Sequence, residues 1–416
     1  MESFMRFFRY NCGRAEREKV LELLTEEGFL CRGFSEGEGI MTASDGQGSL
    51  GSSLAHYFGY IYIQDISSTL PVMLLNPPQG STVLDMCASP GSKTSQLARV
   101  VGSKGMVVAN EPNKSRLATL RANLKRLNLI NVITSGYNGQ DISLEDWGFD
   151  YILLDAPCSG WGTVNKNPAA ARIWTKDNVS SLKALQRELL KNAAKLLAPG
   201  GKLVYSTCTT NPAENEEQVL QAQKELSLKS LKTGFESSVP NFFPDIEIIN
   251  PGMMRVKGAQ MGGQDFFMAL LTADRETKPV RKKNRQAHKS RPREPVAFGK
   301  DMRQPESGAL WDFSGNVFFV PEQAWELFDR GFAAHGVHAG KKRGKKFILS
   351  PRMRIFLPEK PCESDFNASD PEQVKHLISG QSLDYSGSKD LVGFYWRGLA
   401  LGWLKKKNNR LFWSDR

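Results

Sequence analysis

Short apolar runs alternate with longer amphipathic stretches between about residue 80 and residue 275 of the chain. Leucines recur at helical spacing over 114–127 and predict a helix there. A second helix is predicted over 179–197, where Pro199 and the two glycines after it would stop it. Alternating strands and helices predict a parallel, doubly wound α/β sheet with its ligand site at the carboxyl ends of the strands. The predicted strands cover residues 82–86, 106–110, 131–134, 151–155 and 202–206.

The pattern changes on both sides of this region. Residues 1–70 are too few for a catalytic domain of their own, so we place the core domain at 71–274. Residues 275–303 have almost no periodic apolar pattern and contain three prolines, which predicts a linker. Residues 304–416 predict a mostly-β region because short apolar runs lie there between glycines and prolines. The strands predicted in this last region are 317–320, 347–349, 353–356 and 391–396.

The composition fits a soluble protein of two or three folding units, since 40% of the 416 residues are hydrophobic. No uninterrupted apolar stretch approaches the ~18–20 residues that span a bilayer. Glu2, Arg6 and Arg9 interrupt the N-terminus, so we expect neither a secretory signal nor a membrane span. The six cysteines are scattered without a C-x-x-C pair, which argues against a structural metal site and fits a cytoplasmic protein.

The formal charge of +11 is concentrated in the last third of the chain. Residues 1–274 have a net charge of −1, residues 275–303 of +8 and residues 304–416 of +4. Further basic runs occur at 341–346 and 405–407. Such clusters bind nucleic-acid phosphates with salt-dependent affinity, so we expect an RNA or DNA partner. A solvated charge run and an acidic membrane surface are the alternatives, although no amphipathic helix accompanies the charge.

The first predicted strand leads into a loop of small residues over 85–94 that opens a helix and suits close approach of a ligand. The loop lacks G-x-G-x-x-G and the spacing of a Walker loop, which disfavours a NAD or nucleoside triphosphate site. Glu111 follows the second strand, at about the distance of a carboxylate that binds two ribose hydroxyls. Together these features predict a nucleoside-like cofactor.

Three sets of residues at the strand ends resemble one family. They are 87–93 (Cys-Ala-Ser-Pro-Gly-Ser-Lys), 154–160 (Leu-Asp-Ala-Pro-Cys-Ser-Gly), and 205–209 (Tyr-Ser-Thr-Cys-Thr) with 211–216 (Asn-Pro-Ala-Glu-Asn-Glu) after it. In this order they resemble the RNA cytosine-5 methyltransferases of the Nop2/Sun and RsmB/RsmF family. The resemblance extends over about residues 6 to 273. Glu111 after Ala109-Asn110 and the loop form Pro-Gly-Ser-Lys are most similar to the bacterial ribosomal RNA enzymes of the RsmF type.

The resemblance implies a Rossmann-like class I methyltransferase fold that uses S-adenosylmethionine. Residues 1–70 would form a small α/β cap beside the RNA, and 304–416 would end in a PUA-like RNA-binding barrel. The family usually has Asp where this chain has Asn138, so we expect cofactor binding to persist in a weakened form. The cofactor-binding residues implied are Cys87, Ala88, Ser89, Pro90, Gly91, Ser92, Lys93, Glu111, Asn138 and Asp155.

The catalytic residues implied are Cys208, Cys158, Asp155 and Lys93. Carbon 5 of cytosine is a poor nucleophile, and addition of a thiolate to carbon 6 activates it. The resemblance makes Cys208 this nucleophile, Cys158 the residue needed for product release, and Asp155 the group that binds the base edge. Lys93 would favour the thiolate by its charge. DNA cytosine-5 methyltransferases use the Pro-Cys thiol as nucleophile, so Thr207-Cys208 favours RNA as substrate.

We therefore expect a monomeric RNA cytosine-5 methyltransferase without a metal, which acts on ribosomal RNA of the small subunit. The alternatives are a transfer-RNA cytosine-5 methyltransferase and a non-catalytic ribosome-assembly or RNA-binding factor. A redox pair of Cys158 and Cys208 is a further possibility. From the charge distribution we also expect truncation at about residue 275 to weaken RNA binding and leave cofactor binding intact.

Overall fold

The computed structural model describes residues 5–35, 39–44, 48–144, 147–163, 176–235, 239, 243–261, 263–273 and 294–415. Within these residues the chain forms four β-sheets with helices packed against them. The first sheet is antiparallel in the order β2-β3-β1-β4, and Val20, Leu23 and Leu24 form the buried face of its long helix. Its elements are β1 (Met5–Tyr10), α1 (Arg14–Glu26), β2 (Leu30–Ser35), β3 (Ile40–Ser44), α2 (Leu54–Tyr57) and β4 (Ile61–Ile63).

The second sheet has nine strands in the order β11-β12-β13-β9-β8-β5-β6-β7, with β10 paired to β13. Strands β5 to β9 are parallel to one another, and β13 is antiparallel to β9. The elements are α3 (Leu70–Leu75), β5 (Thr82–Asp85), α4 (Ser92–Val101), β6 (Met106–Asn110), α5 (Lys114–Leu127), β7 (Val132–Ser135), β8 (Phe149–Asp155), α6 (Lys176–Leu196), β9 (Leu197–Thr207), α7 (Glu216–Glu225), β10 (Leu228–Ser230), β11 (Ile246–Asn250), β12 (Met253–Val256) and β13 (Phe266–Ala273).

This sheet confirms the predicted doubly wound α/β fold, and the helix over 114–127 has the predicted bounds. Helix α6 ends at Leu196 and strand β9 begins at the next residue, so Pro199 lies inside the strand and does not end the helix. Strand β9 therefore begins before residue 202, where the predicted strand began, because Leu197 pairs with Phe149 of β8. The register of the parallel strands places the residues after β5, β6, β7, β8 and β9 at one edge of the sheet.

Two five-stranded sheets follow in the C-terminal region. One is an antiparallel meander from β14 to β18, and the other has the order β19-β21-β22-β23-β20. The elements are β14 (Glu294–Val296), β15 (Ala309–Phe313), β16 (Asn316–Val320), α8 (Ala324–Phe328), β17 (Val337–Arg343), β18 (Lys346–Leu349), β19 (Phe366–Ala368), α9 (Pro371–Ile378), β20 (Ser382–Asp384), β21 (Leu391–Trp396), β22 (Leu399–Lys407) and β23 (Arg410–Phe412).

Two predictions from the sequence need correction, one about where the C-terminal region begins and one about a strand. Residues 275–293 of the predicted linker lie outside the described residues, but β14 pairs with β15, so the meander begins before residue 304. The predicted strand over 353–356 is wrong, because Arg354–Phe356 form a single 3₁₀ turn. The guanidinium of Arg354 points inward and donates to the carbonyl oxygens of Phe58 (2.5 Å) and Gly59 (3.1 Å), which explains the turn.

The C-terminal region packs directly onto the central sheet at the edge formed by β7. Thr134 and His335 exchange two backbone hydrogen bonds of 2.7 and 3.0 Å. Leu327 and Phe332 belong to the same buried cluster as Ile133 and other residues of the central sheet. The region therefore shares a hydrophobic core with the central domain, and truncation at about residue 275 would remove part of that core.

We predict that Leu327→Ala lowers the free energy of unfolding by about 2–5 kcal/mol, because Leu327 is fully buried against the central domain. Urea denaturation followed by circular dichroism measures the change. Ile348→Ala is the matched control, since Ile348 is 37% exposed, and we expect it to change the free energy of unfolding by less than about 0.5 kcal/mol. An unchanged stability of Leu327→Ala, or two separate transitions in the unchanged protein, would contradict the shared core.

Candidate active site

The loop after β5 lies against the neighbouring strands of the sheet. The amide of Met86 donates to the carbonyl of Leu153 (3.0 Å), and the amide of Ala88 donates to the carbonyl of Asn110 (2.9 Å). Gly91 adopts a φ of +105°, and a Cβ there would lie 3.0 Å from Leu120. A side chain at this position would be strained and crowded, so Gly91 is required for the turn by which the loop enters α4.

Glu111 follows β6 and is 2% exposed. Its Oε1 accepts from the amide of Asn113 (2.9 Å), and its Oε2 lies 3.3 Å from Nε of Arg116. Arg116 in turn donates through Nη2 to the carbonyl of Ser89 (3.1 Å), while the hydroxyl of Ser89 donates to the carbonyl of Arg116 (3.0 Å). These contacts fix Glu111 and the loop after β5 relative to each other.

The third part of the predicted cofactor site is the loop after β7. Asn110 holds it, because its amide group donates to the carbonyl of Tyr137 (2.9 Å) and its oxygen accepts from the amide of the same residue (3.0 Å). Asn138 is exposed and donates through Nδ2 to Asp141 (2.9 Å). Sequence reasoning missed Asp141, which supplies a carboxylate three residues after the position where the family has Asp.

The C-terminal region contacts this same loop. The ring of Tyr137 stacks on that of Phe332, with centroids 5.0 Å apart and planes at 29°. The hydroxyl of Tyr137 accepts from the amide of Ala333 (2.8 Å). The loop that carries Asn138 is therefore shaped partly by residues beyond position 303, which the charge pattern did not indicate.

Cys158 and Cys208 lie side by side after β8 and β9, with their sulfur atoms 3.3 Å apart. A hydrogen bond from Cys158 lowers the pKa of the Cys208 thiol and outweighs burial, which raises it. The same bond, together with burial, raises the pKa of Cys158 well above its usual range. The pair is thus asymmetric, with Cys208 the sulfur that ionises first.

Lys93 and Asp155 form a partly buried ion pair beside the thiols, with Nζ 2.7 Å from Oδ2. Nζ of Lys93 also donates to the hydroxyl of Ser68 (3.0 Å), and the hydroxyl of Ser206 donates to Oδ1 of Asp155 (2.8 Å). The charge of Lys93 lowers the pKa of Cys208, whereas that of Asp155 raises it, so Lys93 assists the thiolate less than its position in the loop suggested. The sequence indicated no role for Ser68 or Ser206.

A buried carboxylate joins the two cysteine loops. Glu214 is fully buried, and its oxygens accept from the amide of Ser159 (2.9 Å), the hydroxyl of Ser159 (2.5 Å), Gln186 (3.0 Å) and Asn211 (3.2 Å). The hydroxyl of Ser159 also lies 2.9 Å from that of Thr209. Four donors to one carboxylate offset the cost of its burial and hold both loops in place. The sequence contained Glu214 only as part of a family motif, without an indication of this role.

Among the described residues, burial or packing accounts for three other cysteines and two histidines. Burial raises the pKa of Cys12 to about 12 and of Cys31 to about 11, and it raises that of Cys87 further. The rings of His335 and His338 both pack on Phe318. Within the described part of the chain, no group of three or more His, Cys, Asp or Glu side chains could hold a metal ion. In the same residues, no helix is long and apolar enough to cross a membrane.

The family model of the 16S rRNA methyltransferases RsmB/F matches residues 72–272, which include every one of these strand ends. The chain belongs to this family. A methyltransferase homolog protein from Pyrococcus horikoshii is 30% identical, with a TM-score of 0.55 over 64% of this chain and 86% of that one. The NSun6 structure from the same organism, 21% identical with a TM-score of 0.58, covers 66% of this chain and 92% of its own, and it supports the fold alone.

Curated relatives match between 53% and 87% of the chain. The ribosomal RNA small subunit methyltransferase F of Salmonella heidelberg is 45% identical over 232 residues, which are 53% of this chain and 47% of that protein. The one from Pectobacterium carotovorum is 36% identical over 286 residues, which are 66% of this chain and 58% of that protein. The chain thus spans roughly half of the length of these relatives.

We predict that alkylation of Cys208 by iodoacetamide reaches half of its maximal rate below the ordinary thiol pKa of 9.0, because the hydrogen bond from Cys158 stabilises the Cys208 thiolate. Cys158→Ala removes the donor, so the midpoint should move to higher pH and alkylation at neutral pH should slow. Cys158→Ser retains a donor and is the control. Mass spectrometry of the peptide that contains Cys208 gives the rates, and a midpoint that stays or falls in Cys158→Ala would refute the assigned direction.

Proposed function

We propose that this protein is an S-adenosylmethionine-dependent RNA methyltransferase that methylates carbon 5 of a cytosine in small-subunit ribosomal RNA through a covalent adduct on Cys208. The observation that carries the proposal is the pair of thiols 3.3 Å apart, at the ends of adjacent strands and beside the Lys93–Asp155 ion pair. Membership in the RsmB/F family and the names of the curated relatives support the substrate class.

S-adenosylmethionine, the cofactor, supplies an electrophilic methyl group when it is bound. The side chains at the strand ends fit it by their chemistry. The buried carboxylate of Glu111 suits two ribose hydroxyls, and the turn at Gly91 lets the backbone approach a ligand closely. Asn138 and Asp141 offer both a donor and acceptors for an adenine edge. The remaining loop residues, 87–93, would line the site between Glu111 and Asp155.

The side chains of this protein then account for the sequence of steps in the reaction. The Cys208 thiolate adds to carbon 6 of the cytosine, and the electron pair of the 5,6 double bond makes carbon 5 nucleophilic. Asp155, held by Lys93 and Ser206, is oriented to bind the base edge where charge develops. Once carbon 5 carries the methyl group, a base takes the proton from carbon 5, and the electron pair of that C–H bond restores the double bond. The bond from carbon 6 to sulfur then breaks, and its electron pair returns to Cys208. Cys158 is required for this release.

The substrate base must leave any duplex in order to reach the thiols. The basic runs at 341–346 and 405–407 lie on β17–β18 and β22 of the C-terminal region, which we expect to bind RNA phosphates. Because this region contacts the loop of Asn138 through Tyr137, bound RNA and cofactor would be held by one packed unit. We propose that the protein acts as a cytoplasmic monomer.

We predict that Cys208→Ala abolishes methyl transfer while the dissociation constant for S-adenosylmethionine remains within about twofold, because the thiol attacks the base and does not line the predicted cofactor loop. Transfer of a tritiated methyl group to small ribosomal subunits from a deletion strain measures the activity, and transfer RNA from the same strain tests the alternative substrate. Cys362→Ala, at an exposed cysteine of the C-terminal region, is the control and should remain active. Normal transfer by Cys208→Ala would exclude the mechanism.

We predict that Cys158→Ala accumulates a covalent protein–RNA adduct that persists in denaturing gel electrophoresis, because the bond between Cys208 and carbon 6 forms but does not break. The double variant Cys158→Ala/Cys208→Ala should form no adduct. Normal turnover of Cys158→Ala without an adduct would show that Cys158 is dispensable for release.

A further inference from the structure

A cavity of about 530 Å³ lies where the first sheet, the central sheet and the C-terminal region meet. The first turn of α1, the last turn of α4, the end of α5 and the start of β22 line it. Helices α4 and α5 run back from the carboxyl ends of the parallel strands, so their last turns lie at the opposite edge of the sheet from Cys158 and Cys208. The volume suits a small ligand, and that ligand would be separate from the cofactor and the target base.

Hydrogen bonds between the three parts of the chain fix the walls of this cavity. Nδ2 of Asn128 donates to the carbonyl of Arg352 (2.9 Å), and the side-chain oxygen of Asn128 accepts from the amide of Ile355 (3.1 Å). The hydroxyl of Tyr60 donates to the carbonyl of Ala400. The cavity therefore has a defined shape that does not depend on a ligand.

Cationic side chains outnumber carboxylates around the cavity by five to two. The five are Lys19, Arg99, Arg303, Arg354 and Lys360, and the two are Glu16 and Glu359. Both carboxylates already have partners. Oε2 of Glu16 accepts from the amide of Gly13 (3.0 Å), and Oε1 of Glu359 lies 3.2 Å from Nη1 of Arg303. In the described part of the chain, Lys19, Arg99 and Lys360 form no ion pair. Such a surplus of positive charge favours an anionic ligand.

Two guanidinium groups of the cavity wall contact carbonyl oxygens and no carboxylate. Arg354 is 9% exposed and donates to four backbone carbonyl oxygens. Nη2 of Arg99 donates to the carbonyl of Cys12 (2.5 Å), which is its only hydrogen bond among the described residues. Partial burial, and then the charges of Arg17 and Arg354, lower the pKa of Arg99. A guanidinium has several N–H donors in a fork that matches a phosphate, so Arg99 retains donors for an anion.

The cavity wall also contains a buried acceptor that lacks a donor. Asn11 is 5% exposed, and its Nδ2 donates to the carbonyls of Gly59 (2.9 Å) and Leu127 (2.8 Å). Because both acceptors are carbonyl oxygens, the orientation of the amide is fixed, and Oδ1 of Asn11 has no partner among the described residues. A hydroxyl or amino group at this place would remove the cost of the unpaired acceptor. Cations beside such an acceptor suit a ligand with a phosphate and hydroxyl or amino groups, as a nucleotide has.

We propose that this cavity binds the phosphate group of a nucleotide, either free or within an RNA chain, through Arg99, Lys19 and Lys360. The phosphate would join charges from all three parts of the chain, since Lys19 belongs to α1, Arg99 to α4 and Lys360 to the C-terminal region. Nζ of Lys19 reaches the C-terminal region, because a Cβ at Gly398 would lie only 3.0 Å from it. Oδ1 of Asn11 would accept from a ribose hydroxyl or a base amino group. Binding at this site requires no methyl transfer.

The test compares Arg99→Gln and Lys19→Met with Arg99→Lys, which keeps the charge, and with Lys224→Met, a control at an exposed lysine in the last turn of α7. Calorimetric titration measures the dissociation constants for uridine 5′-monophosphate and for a short oligouridylate, which contains no target cytosine. Each titration uses the full chain in a phosphate-free buffer of low salt concentration, with saturating S-adenosylmethionine to fill the cofactor site. The melting temperature without a nucleotide checks that each variant folds.

We expect Arg99→Gln to raise the dissociation constant by about 10- to 100-fold and Lys19→Met by about 3- to 10-fold, because each removes a charged donor to the phosphate. Arg99→Lys should lose less affinity than Arg99→Gln, and Lys224→Met should stay within about twofold. The nucleotide should also raise the melting temperature of the unchanged protein, since it binds the folded state. Lys19 is only partly buried, so Lys19→Met tests the site even where loss of the Arg99 bond to Cys12 lowers stability.

The two ligands distinguish the sources of the phosphate. Binding of the mononucleotide with this order of variants assigns the site to a free nucleotide, whereas the same order with the oligouridylate alone assigns it to RNA. The proposal is overturned if neither ligand binds, or if Arg99→Gln and Lys19→Met bind both ligands as tightly as Lys224→Met does. Neither ligand is methylated, so absence of methyl transfer in the unchanged protein would contradict the proposed function and leave this test valid.

Discussion

The parallel pairing of β8 with β9, with Asp155 opposite Ser206, determines the geometry on which the proposed chemistry depends. It brings the residues after the two strands to the same edge of the sheet and places Cys158 beside Cys208. Strand pairing alone leaves the following loops free to move. The carboxylate of Glu214 removes that freedom, because it binds Ser159 in one loop and Asn211 in the other. A fully buried carboxylate is stable only while its donors remain in place, so the network favours a single arrangement of the two thiols.

In that arrangement the two cysteine thiols differ in pKa, although they are chemically the same group. Either sulfur can donate in the contact between them, but once one thiol ionises the other must be the donor. The hydrogen bond stabilises the thiolate of Cys208 and opposes ionisation of Cys158. The proposed mechanism needs a nucleophile for addition and a group that retains its proton for the later release, and one short contact would supply both. The Lys93–Asp155 pair contributes little net charge beside the thiols and instead fixes the orientation of the carboxylate that the proposed mechanism places at the base.

The sequence predicted the doubly wound sheet and the family, because both leave local signals in spacing and in short motifs. It could not predict that Glu214 joins the two cysteine loops, since its donors come from separate segments that only the fold assembles. The sequence showed only that Asn138 replaces the usual Asp of the family. It could not show that the 3₁₀ turn after Asn138 brings the carboxylate of Asp141 into contact with it. The strand predicted over 353–356 was wrong because apolar residues in a short run do not distinguish a strand from a buried turn.

The charge distribution suggested a division into a neutral catalytic part and a basic part that binds RNA. The packing makes that division incomplete. His335 extends the sheet at β7, and Phe332 stacks on Tyr137 in the loop that carries Asn138. A region that shares a buried core with the sheet cannot move independently of it without exposing that core to water. In the proposed function, phosphates bound by the C-terminal region would therefore be held at a fixed distance from the thiols. The packing that stabilises the fold would then also set which part of the RNA reaches Cys208.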